Sequence, residues 1–234
     1  MALFGTIING ICIATGVFIG MFFRKIPERY KETIMSGISL AVMLIGLQMG
    51  FQTNNIVIVL LSLLTGAMVG EWLHLEKKLN QLGDKLQGLF KGGGSANISK
   101  GFITASLIFV IGAMAVIGAL DSGLRGDHSI LITKSIIDGF TALVLTTTLG
   151  IGVIFSVVPV VLYEGSIALF ATQIEKWLPK EFLDLFISEM TATGGLLIFA
   201  IGLNLLNITQ IRVANLLPSL GTVGFVLYIS MMFS

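Results

Sequence analysis

The sequence predicts an all-α polytopic membrane protein of about eight transmembrane helices, and three observations carry that reading. Only 12% of the 234 residues are charged while 55% are hydrophobic, and the mean hydropathy is +0.96. Soluble domains carry about 25% charged residues. Apolar runs long enough to cross about 30 Å of hydrocarbon at 1.5 Å per residue recur along the whole chain. The charges that do occur gather between those runs.

Six such runs lie near 3–23, 33–53, 55–73, 101–120, 185–206 and 211–231. The first is followed by Arg24 and Lys25 instead of being preceded by basic residues, which reads as a membrane span and not as a signal peptide. The stretch 131–175 is too long for one crossing, and Asp138 and Glu164 are the only charges between Lys134 and Glu175. It therefore holds two spans, with the turn marked by Gly150, Gly152, Ser156 and Pro159. So apolar a turn is a candidate for a buried or re-entrant connection.

Residues 72–90 have another character. Trp72, Leu75, Leu79, Leu82, Leu86 and Leu89 recur at helical spacing, with Lys77, Lys78, Gln81, Asp84 and Lys85 on other faces. This predicts one amphipathic helix in the plane of the cytoplasmic leaflet, followed by a Gly92-Gly93-Gly94-Ser95 link. A coiled-coil partner is the alternative, although the stripe is short for one.

Loop charge sets the orientation. Segment 24–32 carries Arg24, Lys25, Arg29 and Lys31, and segment 74–100 carries Lys77, Lys78, Lys85, Lys91 and Lys100. With eight spans these loops share one side, so they are cytoplasmic and both termini lie outside a bacterial inner membrane. The net charge of +1 and the lack of a basic tract exclude nucleic acid as a partner. One cysteine, Cys12, and two histidines are too few for a typical zinc cluster. No nucleophile with a base and no cofactor motif is present, so neither an enzyme nor a cofactor is expected.

An internal repeat is legible. Leu40–Leu64 aligns without gaps on Leu196–Leu220: Ile45-Gly46-Leu47 meets Ile201-Gly202-Leu203, Gln48 meets Asn204, and Thr53 meets Thr209. Upstream, Ile26-Pro27 meets Leu178-Pro179 and Ile8-Asn9-Gly10 meets Tyr163-Glu164-Gly165. Spans 1–3 then correspond to spans 6–8. Because five is odd, the copies are inverted. The chain 1–234 reads as one integral membrane domain: repeat one over 1–73, the amphipathic helix and glycine link over 72–97, central spans over 101–155, and repeat two over 157–234. Inverted repeats recur in secondary transporters, where the halves exchange accessibility around a central site.

The runs Gly112-Ala113-Met114-Ala115-Val116-Ile117-Gly118, Gly126-Asp127, Lys134-Ser135, Asp138-Gly139 and Gly150-Ile151-Gly152-Val153 come in a recognisable order. Tyr163-Glu164-Gly165, Glu189, Gly194-Gly195, Ile201-Gly202-Leu203-Asn204 and Asn215-Leu216-Leu217-Pro218 continue it. In these the chain resembles, over essentially its whole length, the bacterial membrane family catalogued as domain of unknown function 554 (YqgA/YdfK-like). The resemblance implies a transport-type membrane protein. It also implies Gln at the place of Glu164, so the acid here is a departure from the family.

A charge at the centre of a membrane helix costs about 2.5–3.5 kcal/mol on insertion scales, so depth decides which polar residues matter. Lys134 and Asp138 lie four apart on one helical face, either as a private ion pair that lets the span insert or as part of a site. Glu164 and its repeat mate Asn9 sit at similar depth from opposite ends, each followed by Gly, and fit a site between the halves. Glu189 lies near the outer end of its span. Gln48 with Asn204, and Asn207 with Asn215, suit interhelical hydrogen bonds better than substrate binding. Thr146-Thr147-Thr148 can line a path, but bonding back to the helix is the commoner use. Gly16/Gly20 and Gly66/Gly70 are small-residue pairs for close helix packing, and offer faces for a homo-oligomer. Asp121–His128 matches no calcium loop, and no metal is expected there.

The expected function is secondary transport of an ion or small solute across the lipid bilayer, with Asp138, Glu164 and Asn9 as the polar core. An ion channel is the alternative, and a non-transporting scaffold the third. The orientation is testable by labelling single cysteines in a Cys12→Ser background. Lys91→Cys is expected to resist an impermeant reagent in intact cells, and labelling from outside would overturn the orientation.

Overall fold

The structure, a computed structural model, describes residues 2–23, 27–89 and 98–232. Arg24, Lys25, Lys91 and the Gly92–Ser95 link lie outside the described residues. Those described form helices α1 (Phe4–Phe22), α2 (Glu28–Gly50), α3 (Ile56–Leu73), α4 (Leu75–Leu89), α5 (Ile98–Val110) and α6 (Ala113–Leu124). They continue as α7 (Ser129–Leu149), α8 (Val157–Trp177), α9 (Lys180–Leu205), α10 (Val213–Leu216) and α11 (Ser219–Met232). Among the described residues six stretches are long and apolar enough to cross a membrane, or seven if α5 and α6, bent by 62° at Ile111–Gly112, count as one. One of the six is the 49-residue run Ser129–Trp177.

That run reverses. A tight 3-10 turn occupies Gly150–Ser156, entered through Gly150 at φ +79°, a backbone conformation that favours glycine. Asn9 on α1 bonds both Asp138 on α7 and Glu164 on α8. A straight helix would separate those two acids by about 39 Å at 1.5 Å per residue, so the chain must double back between them.

The chain divides into two compact units. The first comprises Met1–Ile38, Asn80–Val110 and Met114–Ile174. Within it α1 runs parallel to α7 at backbone contact. A Cβ on Gly16 would overlap the Gly139 carbonyl, one on Gly20 the Leu143 carbonyl, and one on Gly139 would meet the Cys12 carbonyl at 2.9 Å. On its other side α1 meets α8 in antiparallel order. A Cβ on Gly10 would meet Val161 and Val157 at 3.0 and 3.3 Å, and one on Gly165 would meet Leu3 and Thr6 at 3.4 and 3.9 Å. The 3-10 turn packs against α5, where Gly152 abuts Ile98 and a Cβ on Gly101 would lie 3.3 Å from the Val153 nitrogen.

The second unit comprises Ser39–Leu79, Ile111–Ala113 and Glu175–Ser234. Here α2 and α9 cross antiparallel on glycine. A Cβ on Gly46 would meet the Phe199 nitrogen and, at 2.7 Å, the Gly195 carbonyl. One on Gly202 would meet the Met43 nitrogen at 3.1 Å and the Ser39 carbonyl at 3.0 Å. Helices α3 and α11 also run antiparallel, with Gly66 on Ser219 and Thr222 donating to the Ser62 carbonyl at 3.0 Å. Gly70 abuts the Asn215 carbonyl beyond them. The helix expected over 72–90 begins at Leu75, later than its stripe suggests. His74 turns left-handed at φ 54°, so α3 ends at Leu73 with Trp72 in its last turn, and α4 is a separate helix.

The exterior is apolar. Phe22, Phe51, Trp72 and Trp177 are about four-fifths exposed, and Leu44, Leu64, Phe140 and Leu162 are exposed along the shafts. Water does not tolerate so many large exposed apolar side chains, whereas hydrocarbon does. Trp72 and Trp177 close their helices, where indole rings favour the membrane interface.

The α1–α7 approach is testable by unfolding in detergent. Gly16→Ala is expected to cost about 1–3 kcal/mol by overpacking. Gly37→Ala, with nothing within 4 Å of the new methyl, is expected to be neutral or to stabilise by about 0.5–1 kcal/mol.

Candidate functional site

The close approach of α1 to α7 and α8 brings four polar side chains together inside the first unit. Asn9, Lys134, Asp138 and Glu164 are all buried, Asn9 and Glu164 completely. Lys134 and Asp138 follow from i, i+4 spacing on α7 and form an ion pair. The same Lys134 ammonium lies 3.2 Å from Glu164 Oε1. Asn9 Nδ2 donates to Asp138 Oδ2 at 3.1 Å and to Glu164 Oε1 at 2.9 Å. One ammonium and one amide thus bridge two carboxyl groups from separate helices. Glu164 Oε2, Asn9 Oδ1 and the Thr6 hydroxyl oxygen are buried with no hydrogen-bond partner.

Two carboxylates and one ammonium leave a net charge of −1 if all three ionise. Burying unbalanced charge is costly, and each buried ion needs a partner. The arrangement can therefore hold one further positive charge. Among the described residues no group of three or more His, Cys, Asp or Glu could hold a metal ion.

The remaining candidates lie elsewhere. Glu189 belongs to the second unit and is buried, more than two turns into α9, because that helix starts at Lys180 and not near 185. Its carboxylate accepts from the Thr53 hydroxyl at 2.6 Å and from the Asn54 and Asn55 backbone N–H groups at 2.7 and 3.0 Å. It thereby anchors the turn that starts α3, where an anion meets the positive end of the helix dipole. Asn204 holds the corresponding turn of α9 locally: its Oδ1 accepts from Thr209 at 2.8 Å and from the Ile211 N–H at 2.9 Å. Gln48 is exposed and joins neither group. Asn215 and Glu76 cap reciprocally. Asn215 Oδ1 accepts from the Glu76 N–H at 2.7 Å, and Glu76 Oε2 from the Ala214 N–H at 3.0 Å. Thr146, Thr147 and Thr148 each donate back to a carbonyl of their own helix.

The 121–128 loop is built by local bonds. Asp121 pairs with Arg125 at 3.0 Å, and the Ser129 hydroxyl and N–H hold the Asp127 carboxyl below its usual range. Ser122 lies 2.7 Å from His128 Nδ1, a contact that suggests a nucleophile and its base. The Ser122 hydroxyl, however, donates to the Ala2 carbonyl at 2.8 Å. Its proton is committed, so His128 is the donor and the contact tethers the N-terminus.

Sequence reasoning missed Thr6, although it lies one turn before Asn9. It also missed the caps made by Glu189 and Glu76, because their partners are more than 130 residues away.

An apolar exterior around helices long enough to cross a bilayer, with ionised groups paired inside, defines an integral helical membrane protein. Residues 4–228 match the family described as "Protein of unknown function (DUF554)", and the chain belongs to that family. It is 32% identical over 223 residues to the "Uncharacterized membrane protein YdfK" of Bacillus subtilis (strain 168), covering 93% of each chain. It is 31% identical over 221 residues to the "Uncharacterized protein YqgA" of Escherichia coli (strain K12), covering 92% of each. No solved structure matches it.

The Glu189 anchor can be checked directly. Glu189→Ala is expected to cost about 3 kcal/mol, the scale of a charge-assisted hydrogen bond lost from a buried site. Amide exchange at Asn54 and Asn55 is expected to accelerate, while the α7 amides remain unchanged.

Proposed function

We propose that the protein is a secondary transporter of an ion or small solute, and not an enzyme, working in the bacterial inner membrane with both termini outside. The observation that carries this reading is the buried cluster of Asn9, Lys134, Asp138 and Glu164, drawn from three helices. Ionisable groups inside a membrane protein are expensive, and they mark ion or substrate pathways by default. A private ion pair for insertion requires only Lys134 and Asp138. It does not account for a second acid and an amide brought to the same point from α8 and α1.

Eight passes fit the helix directions. Counting α5 with α6 as one pass and splitting Ser129–Trp177 into two gives eight. The parallel α1–α7 and antiparallel α1–α8, α2–α9 and α3–α11 contacts agree with that count. In the same scheme α4 lies in the plane of the cytoplasmic surface.

The inverted repeat finds support in the contact pattern. Adding 156 turns the pair Gly46–Phe199 into Gly202–Met43, and Gly46–Gly195 into Gly202–Ser39; all four contacts occur. Adding 155 turns Gly10–Val161 into Gly165–Thr6, and both contacts occur. A two-fold relation that swaps the copies produces such exchanged pairs. Because the mated helices run antiparallel, the axis is perpendicular to them, as expected for an axis in the membrane plane. Asn9 and Glu164, mates of each other, touch where such an axis passes between α1 and α8.

Reconstitution tests the reading. Ion and solute flux is measured in liposomes containing wild type, Asp138→Asn or Glu164→Gln. Asp138→Asn is expected to abolish flux with expression and fold intact, because an amide keeps the shape but not the charge. Glu164→Gln is expected to be milder. If Asp138→Asn lowers stability yet transports normally per molecule, Asp138 is an insertion aid and the site assignment fails. Steady uncoupled current in planar bilayers would identify a channel.

A further inference from the structure

The cluster's hydrogen bonds are distributed unevenly, and the asymmetry carries information. Both donors that reach Glu164 converge on one oxygen: Asn9 Nδ2 at 2.9 Å and Lys134 Nζ at 3.2 Å both lie on Oε1. Its second oxygen, Oε2, is buried and receives nothing, and neither does Asn9 Oδ1. These are the remaining heteroatoms of two planar groups already joined through Nδ2 and Oε1. Two acceptors in that relation cannot satisfy each other, because neither carries a hydrogen.

Charge counting reaches the same atom. With both acids ionised the cluster holds two negative charges against Lys134 alone. The lysine belongs first to Asp138, its i, i+4 neighbour, to which it donates a hydrogen bond. Among the described residues, the groups that act on Glu164 besides Lys134 are Asn9 from α1, Asp138 from α7 and Tyr163 on its own helix. None of them offers a positive charge.

We propose that Glu164 is a proton-binding site, carrying a proton on Oε2 at neutral pH and donating it to Asn9 Oδ1. The acid and the amide then form a closed pair, with Asn9 Nδ2–H on Oε1 and Oε2–H on Oδ1. One proton taken from water converts the carboxylate to the acid and leaves Lys134–Asp138 as the cluster's ion pair. The buried group becomes neutral overall, and both unpartnered oxygens gain a partner. Glutamine at position 164 reproduces the pattern, with one carbonyl acceptor and one N–H donor in place of the acid's C=O and O–H. The inference rests on the geometry of the cluster and stands whether or not the protein transports.

Infrared spectroscopy of the full chain in lipid bilayers tests it. A protonated carboxylic acid has a C=O band separate from that of a carboxylate. At neutral pH wild type is expected to show such a band from a buried acid. Carboxyl-¹³C labelling of glutamate is expected to shift it, and the same labelling of aspartate is not. The band is expected to be absent from Glu164→Gln, and to weaken in Asp138→Asn, where Lys134 is freed to pair with Glu164 as a carboxylate. If Glu164→Gln does not fold, the labelled wild-type samples decide together with Glu189→Gln, which removes the other buried glutamate and is expected to keep the band. Absence of a buried acid band, or a band that follows the aspartate label, would overturn the proposal. Liposome flux is a separate readout: a glutamic acid band without flux leaves the proton site standing and removes the transport reading.

Discussion

Hydrocarbon offers no partner to a charge, so every ionised group within these helices must find one in the protein. The constraint is strongest at Lys134, Asp138 and Glu164, and it shapes the first unit around them. Three helices must come close enough for short side chains to meet, and glycine permits that. Gly16 and Gly20 bring α1 onto the α7 backbone, while Gly10 and Gly165 bring it onto α8. The polar cluster and the small-residue faces are therefore one design: the packing exists where the charge needs neighbours, and the charge is tolerable because the packing supplies them.

The second unit solves a different problem with the same materials. Its turns expose backbone N–H groups at helix starts, which cost several kcal/mol each if left unpaired away from water. Glu189 anchors the turn before α3, Asn204 the turn after α9, and Glu76 the start of α10. The reciprocal Glu76–Asn215 pair also fixes α4 where it leaves α3, because Asn215 accepts the first free N–H of that helix. These polar residues fasten turns, and this separates them from the cluster in the first unit, where the acids bond side chains instead of backbone.

Much of this was legible in the sequence because hydropathy is a local property. The apolar runs gave the helices, and the excess length of 131–175 required the reversal at Gly150–Ser156. Asn9, Lys134, Asp138 and Glu164 stood out because charge and amide are rare in such runs. Their meeting point was approached only through the repeat alignment, which paired Asn9 with Glu164. What stayed hidden depends on distant partners or on single backbone angles. Glu189 looked interfacial because its helix begins five residues earlier than the apolar run, and nothing local links it to Thr53. Trp72 joined the amphipathic stripe by spacing, but the left-handed His74 interrupts the helix, and periodicity does not register one torsion.

The proposed repeat also bears on why Asn9 and Glu164 differ. In an inverted repeat, mates that meet at the symmetry axis face each other directly. Two carboxylates there would repel, and two amides would pair without holding any charge. An acid opposite an amide is complementary, provided the acid presents one donor and one acceptor as the amide does. Lys134 and Asp138 come from α7, which lies outside the two copies and has no mate. The ion pair is thus supplied from one side only, and whatever polarity the site possesses enters through α7. A strictly symmetric pair of halves would offer the same chemistry to both faces of the membrane; under the proposed repeat, α7 would set the charge and the mated pair of α1 and α8 the place.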